Sequence, residues 1–274
     1  MSKRSPKNEV QASLTHLSFS AISEYRTCPK RYYYRRVLRA PEEKSSATLA
    51  QGSAVHRAVE FLHRSRLAGM PMPSVDRLLS TYDAGWKEHV LGAVPMIYPK
   101  QQDAKSMRSL AGAMLSAYRT FAQTDKSRIL GIEQDISHRC KSPNLPLLAR
   151  ADLMAIEGSD LIVSDLKTSK CRWSETKTRE SMPQLALYSV GARRIASELG
   201  LRKVRGRFVV LTKGKQPVVQ VIEPNIRPAD VQRLEDLIYE TAAAVRAEVF
   251  PRREGWQCAP CYCPFTERCL GKKG

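Results

Sequence analysis

The spacing of apolar residues changes about halfway along the chain, from a helical period to a strand period. In the first half, apolar residues recur every three or four positions, which predicts amphipathic helices. A first helix is predicted from an N-cap at Ser20 or Ser23 through the aromatic and basic stretch 31–36, followed by helices at Gly52–Arg66, Val75–His89 and Ala104–Gln123. A proline-rich link at 71–73 separates the second helix from the third.

From Ile129 onward, short runs of β-branched and apolar residues bounded by turn residues predict strands. The predicted strands are Ile129–Cys140, Leu147–Ile156, Leu161–Lys167, Val204–Thr212 and Pro217–Ile222, and helices are predicted near Glu175–Leu199 and Pro228–Val249. This order predicts a mixed α/β core that follows a helical N-terminal part.

Length and composition favour one large domain. A chain of 274 residues with 42% hydrophobic residues can bury a sizeable core. We expect a flexible segment at 1–13 and a single domain over 14–274. Within that domain we expect a mainly helical part at 14–128, the α/β core at 129–250 and a cysteine-rich tail at 251–274.

The charge balance points to an anionic partner. The chain has 45 Lys and Arg against 27 Asp and Glu, a net charge of +18, and nucleic acid is the usual partner of such a surplus. Candidate phosphate contacts are Arg31, Arg35, Arg36, Arg193, Arg194, Arg202, Lys203, Arg205, Arg207 and Lys213. The tyrosines at 32–34 could stack bases of a single strand or pack in the core, and the sequence favours neither.

The sequence predicts neither a membrane segment nor a secretory signal. No apolar run approaches the roughly 18 residues needed to cross a bilayer. The N-terminal residues MSKRSPKNEV have no apolar stretch of the secretory kind. We therefore expect a cytoplasmic protein with no membrane partner.

The stretch 150–167 reads as two strands joined by a tight turn at Gly158 and Ser159. With this turn, Glu157 faces Asp160, and counting outward along both strands places Asp152 opposite Asp165. Facing carboxylates on an apolar face repel each other, so a cation must lie between them. Oxygen ligands favour Mg²⁺ or Mn²⁺.

The same stretch contains the groups needed for phosphodiester hydrolysis. Lys167 lies two residues beyond Asp165 and points to the same face. A bound metal would lower the pKa of a water molecule, and the Lys167 ammonium would orient that water or offset phosphate charge. Charge pattern alone is equally compatible with a surface hairpin whose end carries two acids and a lysine.

Asp152 followed by Asp165-Leu166-Lys167 resembles the D…(D/E)xK signature of the RecB-like PD-(D/E)XK nucleases. Further segments agree with this resemblance. Gly52 and His56 match the G-x-x-x-H motif of that family, and Gln184 and Tyr188 match its Q-x-x-x-Y motif, one helical turn apart. Without this context, His56 would more often be an ordinary helix residue and Tyr188 a packing residue.

The resemblance implies a restriction-endonuclease-like α/β fold with a central mixed sheet flanked by helices. It implies a catalytic metal held by His56, Asp152, Asp165 and the carbonyl of Leu166. It also implies an exonuclease that acts on DNA ends or single strands in recombination, repair or phage DNA processing, as do the nuclease parts of RecB and AddB and the CRISPR spacer-acquisition exonucleases. No Gly-x-x-x-x-Gly-Lys-Ser/Thr motif is present, so a helicase or recombination protein would be a separate partner.

Four cysteines crowd into the tail, at 258, 261, 263 and 269, which predicts metal ligation. Spacing alone favours a local zinc site. The resemblance instead implies a [4Fe–4S] cluster on Cys28, Cys258, Cys263 and Cys269, with Cys261 as the alternative to Cys263. Cys140 and Cys171 are then spare.

Two other classes of function remain open at this point. One is a non-catalytic DNA-binding or assembly subunit, against which the complete set of Asp152, Asp165 and Lys167 argues. The other is a zinc-dependent nucleic-acid-binding protein, which metal analysis would distinguish because it would contain zinc and no iron.

Overall fold

The computed structural model describes residues 14–90, 94–140, 144–259 and 262–271. The strands are β1 (Leu17–Ser18), β2 (Ser45–Ser46), β3 (Met96–Ile97), β4 (Arg128–Asp135), β5 (His138–Cys140), β6 (Leu145–Leu148), β7 (Arg150–Glu157), β8 (Asp160–Ser169), β9 (Lys203–Thr212) and β10 (Val219–Ile222). The helices are α1 (Phe19–Thr27), α2 (Pro29–Tyr32), α3 (Ala47–Leu67), α4 (Val75–Val90), α5 (Ala104–Thr124), α6 (Glu175–Glu198), α7 (Pro228–Arg246) and α8 (Thr266–Leu270). The predicted flexible segment at 1–13 lies outside the described residues.

A five-stranded mixed sheet forms the centre, in the order β10-β9-β8-β7-β4. β8 and β9 are parallel and α6 connects them, while the other neighbours are antiparallel. The hairpin register is as predicted, with Glu157 opposite Asp160 and Met154 opposite Val163. Gly158 adopts φ +60° in the turn, a conformation that glycine reaches without strain.

Helices cover both faces of this sheet, which confirms the predicted mixed α/β fold. Successive strand residues point to opposite faces. On β8, Val163 packs into a core shared with α1, α6 and α7, whereas Leu166 packs into a second core shared with α3, α4 and α5. The sheet therefore separates two helical layers.

Two predicted strands were wrong in extent because each divides in two. The runs 129–140 and 147–156 break near Ile136 and Ala149, and their outer parts, β5 and β6, join β1 in a separate three-stranded sheet. Asp135 ends β4 because its carboxylate accepts a hydrogen bond from the Ser137 amide (2.8 Å), a local turn that competes with strand pairing.

The first predicted helix was also wrong in extent. Cys28 is extended (φ −158°, ψ 105°) and separates α1 from α2, because Pro29 disfavours helical geometry in the residue before it. Beyond α2, a π-helical turn covers Tyr33–Val37. Tyr32 is buried and stacks on Phe250, so this tyrosine packs in the core and does not stack bases.

Candidate active site

The β7–β8 hairpin stops pairing where the two predicted catalytic acids lie. Leu153 and Ser164 form the last backbone pair on this side. One step further, the Leu166 amide donates to Oδ2 of Asp152 (2.6 Å) instead of to a backbone carbonyl. The Asp152 carboxylate thus joins β8 to β7 just beyond the last backbone pair, and the space beside Asp152, Asp165 and His56 is the candidate cleft.

Asp165 is almost fully buried and is held by three side chains. Its Oδ1 accepts hydrogen bonds from Nε2 of Gln184 (2.7 Å) and from the hydroxyl of Tyr188 (2.9 Å), both on α6. The Lys167 ammonium lies 2.7 Å from Oδ2 but at an angle too poor for a hydrogen bond, so this buried oxygen lacks a hydrogen-bond partner. Such an oxygen is a suitable ligand for a cation.

His56 comes from the opposite helical layer. Its Nδ1 lies 3.9 Å from Oδ2 of Asp152. Burial lowers the pKa of His56 to about 4, which leaves the imidazole neutral and able to bind a metal at neutral pH. Gly52, one turn earlier on α3, allows this helix to lie close to β8, because a Cβ at position 52 would lie only 3.3 Å from Oγ1 of Thr168.

The electrostatics of the cleft favour a cation. Burial, and then the neighbouring charge of Asp165, raise the pKa of the Asp152 carboxyl. Two carboxylates and a neutral imidazole are the donors that Mg²⁺ and Mn²⁺ accept, so the residues fit such an ion by type. Among the described residues, however, no three His, Cys, Asp or Glu side chains converge on one point closely enough to hold a metal as they stand.

Behind the cleft lies a small cavity that the sequence did not reveal. It measures about 20 Å³, room for about one water molecule, and is lined among others by His56, His63, Tyr118, Glu133 and Asp152. Nε2 of His63 bonds to the Tyr118 hydroxyl (2.8 Å), while its Nδ1 lacks a partner. Glu133, in β4, lines the cavity and has a left-handed backbone conformation (φ 52°). Strand periodicity does not predict this placement of its side chain.

We expect His63 to make the stability of the protein fall in mild acid. Burial lowers the pKa of His63 to about 4, whereas the unfolded chain takes up this proton near pH 6.5. The contribution of His63 to the free energy of unfolding should therefore fall by about 3 kcal/mol as the pH drops from about 6.5 to 4. Chemical denaturation across this range should show a flatter profile for His63→Gln, and an unchanged one for the exposed control His89→Gln. Equal profiles for wild type and His63→Gln would contradict this assignment.

All four predicted cluster cysteines lie among the described residues. Cys28 and Cys263 are buried and Cys258 and Cys269 half-buried, all as free thiols. Burial raises the pKa of Cys269, Arg252 lowers it, and the thiols of Cys28, Cys263 and Cys258 are close enough to raise it further. Cys261 lies outside the described residues.

Most of the predicted phosphate contacts are engaged elsewhere. Arg31, Arg35 and Arg36 surround the buried carboxylate of Glu24. Lys203 pairs with β8 at Asp160, about 17 Å along the strand from Asp165, and Arg202 forms an ion pair with Asp160 at that end. Arg205 forms an ion pair with Glu223. Arg207 lies opposite Ser164, next to Asp165, but its guanidinium is paired with Glu157. The charges of these arginines are therefore engaged within the fold.

Within the described residues, no helix is long and apolar enough to cross a membrane.

Known proteins resemble this chain in fold at low sequence identity. No curated protein matches the chain. Among solved structures, the chain is similar to a "Putative exonuclease" from Eubacterium rectale, with 14% identity, 95% of this chain and 93% of that chain covered, and a TM-score of 0.55. Weaker likenesses are to SSO0001 (17% identity, 85% and 89% covered, TM-score 0.36) and to LHK-Exo in complex with dAMP (14%, 74% and 91%, TM-score 0.26).

The family model for the PD-(D/E)XK nuclease superfamily matches residues 16–270, which include the whole cleft and the tail cysteines. The chain therefore belongs to the PD-(D/E)XK nuclease superfamily.

Proposed function

We propose that the protein is a Mg²⁺- or Mn²⁺-dependent deoxyribonuclease of the RecB-like type, an exonuclease that acts on DNA ends or single strands. The observation that carries the proposal is the pair Asp152 and Asp165 at the open end of the hairpin, with Lys167 against the second acid. Recombination, repair or phage DNA processing would supply such substrates, and a separate helicase or recombination protein would be the partner.

Each side chain has a distinct part in the proposed reaction. Asp152, Asp165, His56 and the Leu166 carbonyl would hold the ion, which lowers the pKa of a bound water. Gln184 and Tyr188 fix Oδ1 of Asp165 and so direct Oδ2 toward the cleft. Burial and Asp165 raise the pKa of Tyr188, so its hydroxyl stays a donor. The Lys167 ammonium would orient the water or offset charge on the phosphate.

Lys213 supplies a further cation at the mouth of the cleft. Its Nζ donates to the carbonyl of Thr48 in the first turn of α3 (3.3 Å), and it has no acidic partner among the described residues. Burial lowers the pKa of Lys213 to about 8, so a phosphate nearby would favour its charged form. Of the basic residues singled out in the sequence, it is the best placed to contact a substrate phosphate.

The direct test of the proposal uses DNA labelled at either end, in single- and double-stranded form. We expect release of labelled products with Mn²⁺ or Mg²⁺ and none with EDTA. Which labelled end is shortened first gives the polarity. Binding of DNA with no cleavage under any metal condition would favour the non-catalytic DNA-binding subunit instead.

We further propose that Cys28, Cys258, Cys263 and Cys269 hold a [4Fe–4S] cluster, which would join α1 and α2 to the tail. Its support is that the other three thiols raise the pKa of Cys269, although among the described residues these side chains do not converge closely enough to hold a metal as they stand. Closing so long a loop would stabilise the native state, as other covalent and metal cross-links do.

We therefore expect protein purified without oxygen to contain about four iron atoms and four sulfide ions per chain. Cys28→Ser should lose the visible absorption and lower the melting temperature, whereas Cys171→Ser, at an exposed free cysteine, should change neither. Zinc without iron would indicate a zinc site on the tail cysteines in place of the cluster. A cluster that persists in Cys28→Ser would show that this cysteine is not a ligand.

A further inference from the structure

An exposed pair of aromatic rings lies on the C-terminal segment. Trp256 is 70% exposed and Tyr262 53% exposed, and their rings meet edge to face at 5.3 Å. Trp256 forms one wall of a groove of about 760 Å³ that runs between α1, α6 and α7. Large aromatic side chains on the rim of a groove are typical of a binding surface.

The wall that holds Trp256 is basic. A guanidinium nitrogen of Arg253 donates to the backbone carbonyl of Arg26, which brings two arginines together. Neither guanidinium has an acidic partner in the part of the chain that the structure describes. The acids that line the groove, Glu180 and Glu240, lie on α6 and α7, and Lys177 pairs with Glu180 (3.5 Å). The arginines thus remain available to an anion.

The residues of α6 that line the groove share a helix face with the residues that bind Asp165. Lys177 and Ser181 line the groove, and Gln184 and Tyr188 continue the same face of this helix at i+7 and i+11. Gln184 binds Asp165 and lies about 4.5 Å along the helix axis from Ser181. The groove therefore ends about one turn of α6 from Gln184, the residue that binds Asp165.

We propose that this groove guides single-stranded DNA to the active site, with Trp256 stacking an unpaired base, Tyr262 holding the indole by its edge-to-face contact, and Arg26 and Arg253 contacting phosphates. The inference rests on the proposed nuclease function and adds the substrate form. An unpaired base can expose its face to a ring, whereas the bases inside a duplex have both faces covered by stacking and offer only their edges and the backbone. An acidic protein partner would need the arginines but not the indole face.

The test is the affinity for a fluorescent oligo-dT of about 16 nucleotides, measured by anisotropy in EDTA so that no cleavage occurs. Trp256→Ala should raise the dissociation constant about tenfold, and Tyr262→Ala should raise it as a second, independent variant. Trp256→Phe should retain most of the affinity. The matched control is Tyr239→Ala, an equally exposed tyrosine (57%) on α7 outside the groove, which should bind as wild type does.

Duplex DNA of the same length is the reference ligand, and the melting temperature of each variant shows that it is folded. Unchanged single-strand affinity in both Trp256→Ala and Tyr262→Ala would overturn the proposal and favour a protein partner for the exposed rings. An equal loss for single and double strands would also overturn it. Binding is measured without metal, so the two proposals can fail separately. If the wild-type protein binds single strands through Trp256 but never cleaves them, the proposed nuclease activity is refuted and the proposed binding groove is supported.

Discussion

Asp152→Asn is expected to lower the rate of Mn²⁺-dependent cleavage by about a thousandfold, and at the same time to stabilise the metal-free protein. The loss follows from removing a ligand whose ion contributes several kcal/mol to the transition state. The gain follows because asparagine removes the repulsion between the half-buried Asp152 and the buried Asp165, while its side-chain oxygen can still accept a hydrogen bond from the Leu166 amide.

Two measurements on the same preparations check this pair of effects. Cleavage rates should fall in Asp152→Asn and not in Asp236→Asn, an exposed acid on α7. Melting in EDTA should give a higher temperature for Asp152→Asn than for wild type, and Mn²⁺ should stabilise wild type alone. A variant that is less stable than wild type in EDTA would show that the facing carboxylates are not in conflict.

Lys167→Met is expected to lower kcat by about a hundredfold to a thousandfold while Mn²⁺ still binds. Methionine retains the apolar stem that packs at the cleft but removes the ammonium beside Asp165. The variant therefore separates the role of the ammonium from that of the metal ligands.

Single-turnover cleavage with saturating Mn²⁺ measures this effect. Lys170→Met, three residues further along and exposed, is the matched control and should cleave at the wild-type rate. If Lys167→Met cleaves as fast as wild type, the proposed active site is in the wrong place.

The hairpin at the centre of the fold was predictable because one local feature determines it. A two-residue turn at Gly158 and Ser159 fixes the register, and period-two alternation then fixes which residues share a face. The amino-acid pattern therefore suffices to place Asp152 and Asp165 at the same end of the hairpin. The placement of Gln184 and Tyr188 at this site followed only from the family resemblance, since both lie on α6, outside the hairpin.

Other features depended on contacts that a linear pattern does not contain. The separation of β7 from β8 depends on the Asp152 side chain taking the place of a backbone acceptor. The cluster of arginines at 31, 35 and 36 looked like a nucleic-acid surface because the buried carboxylate of Glu24 could not be foreseen. The break at Cys28 was available in the sequence, because Pro29 disfavours a helix in the preceding residue.

The proposed activity depends on a divalent ion shared by Asp152 and Asp165, and anomalous scattering from crystals soaked in Mn²⁺ would locate such an ion. We expect one peak about 2 Å from an oxygen of each carboxylate and near the His56 imidazole, with the Lys167 ammonium displaced from Oδ2 of Asp165. Manganese bound elsewhere, with the two carboxylates still facing each other and no ion between them, would contradict it.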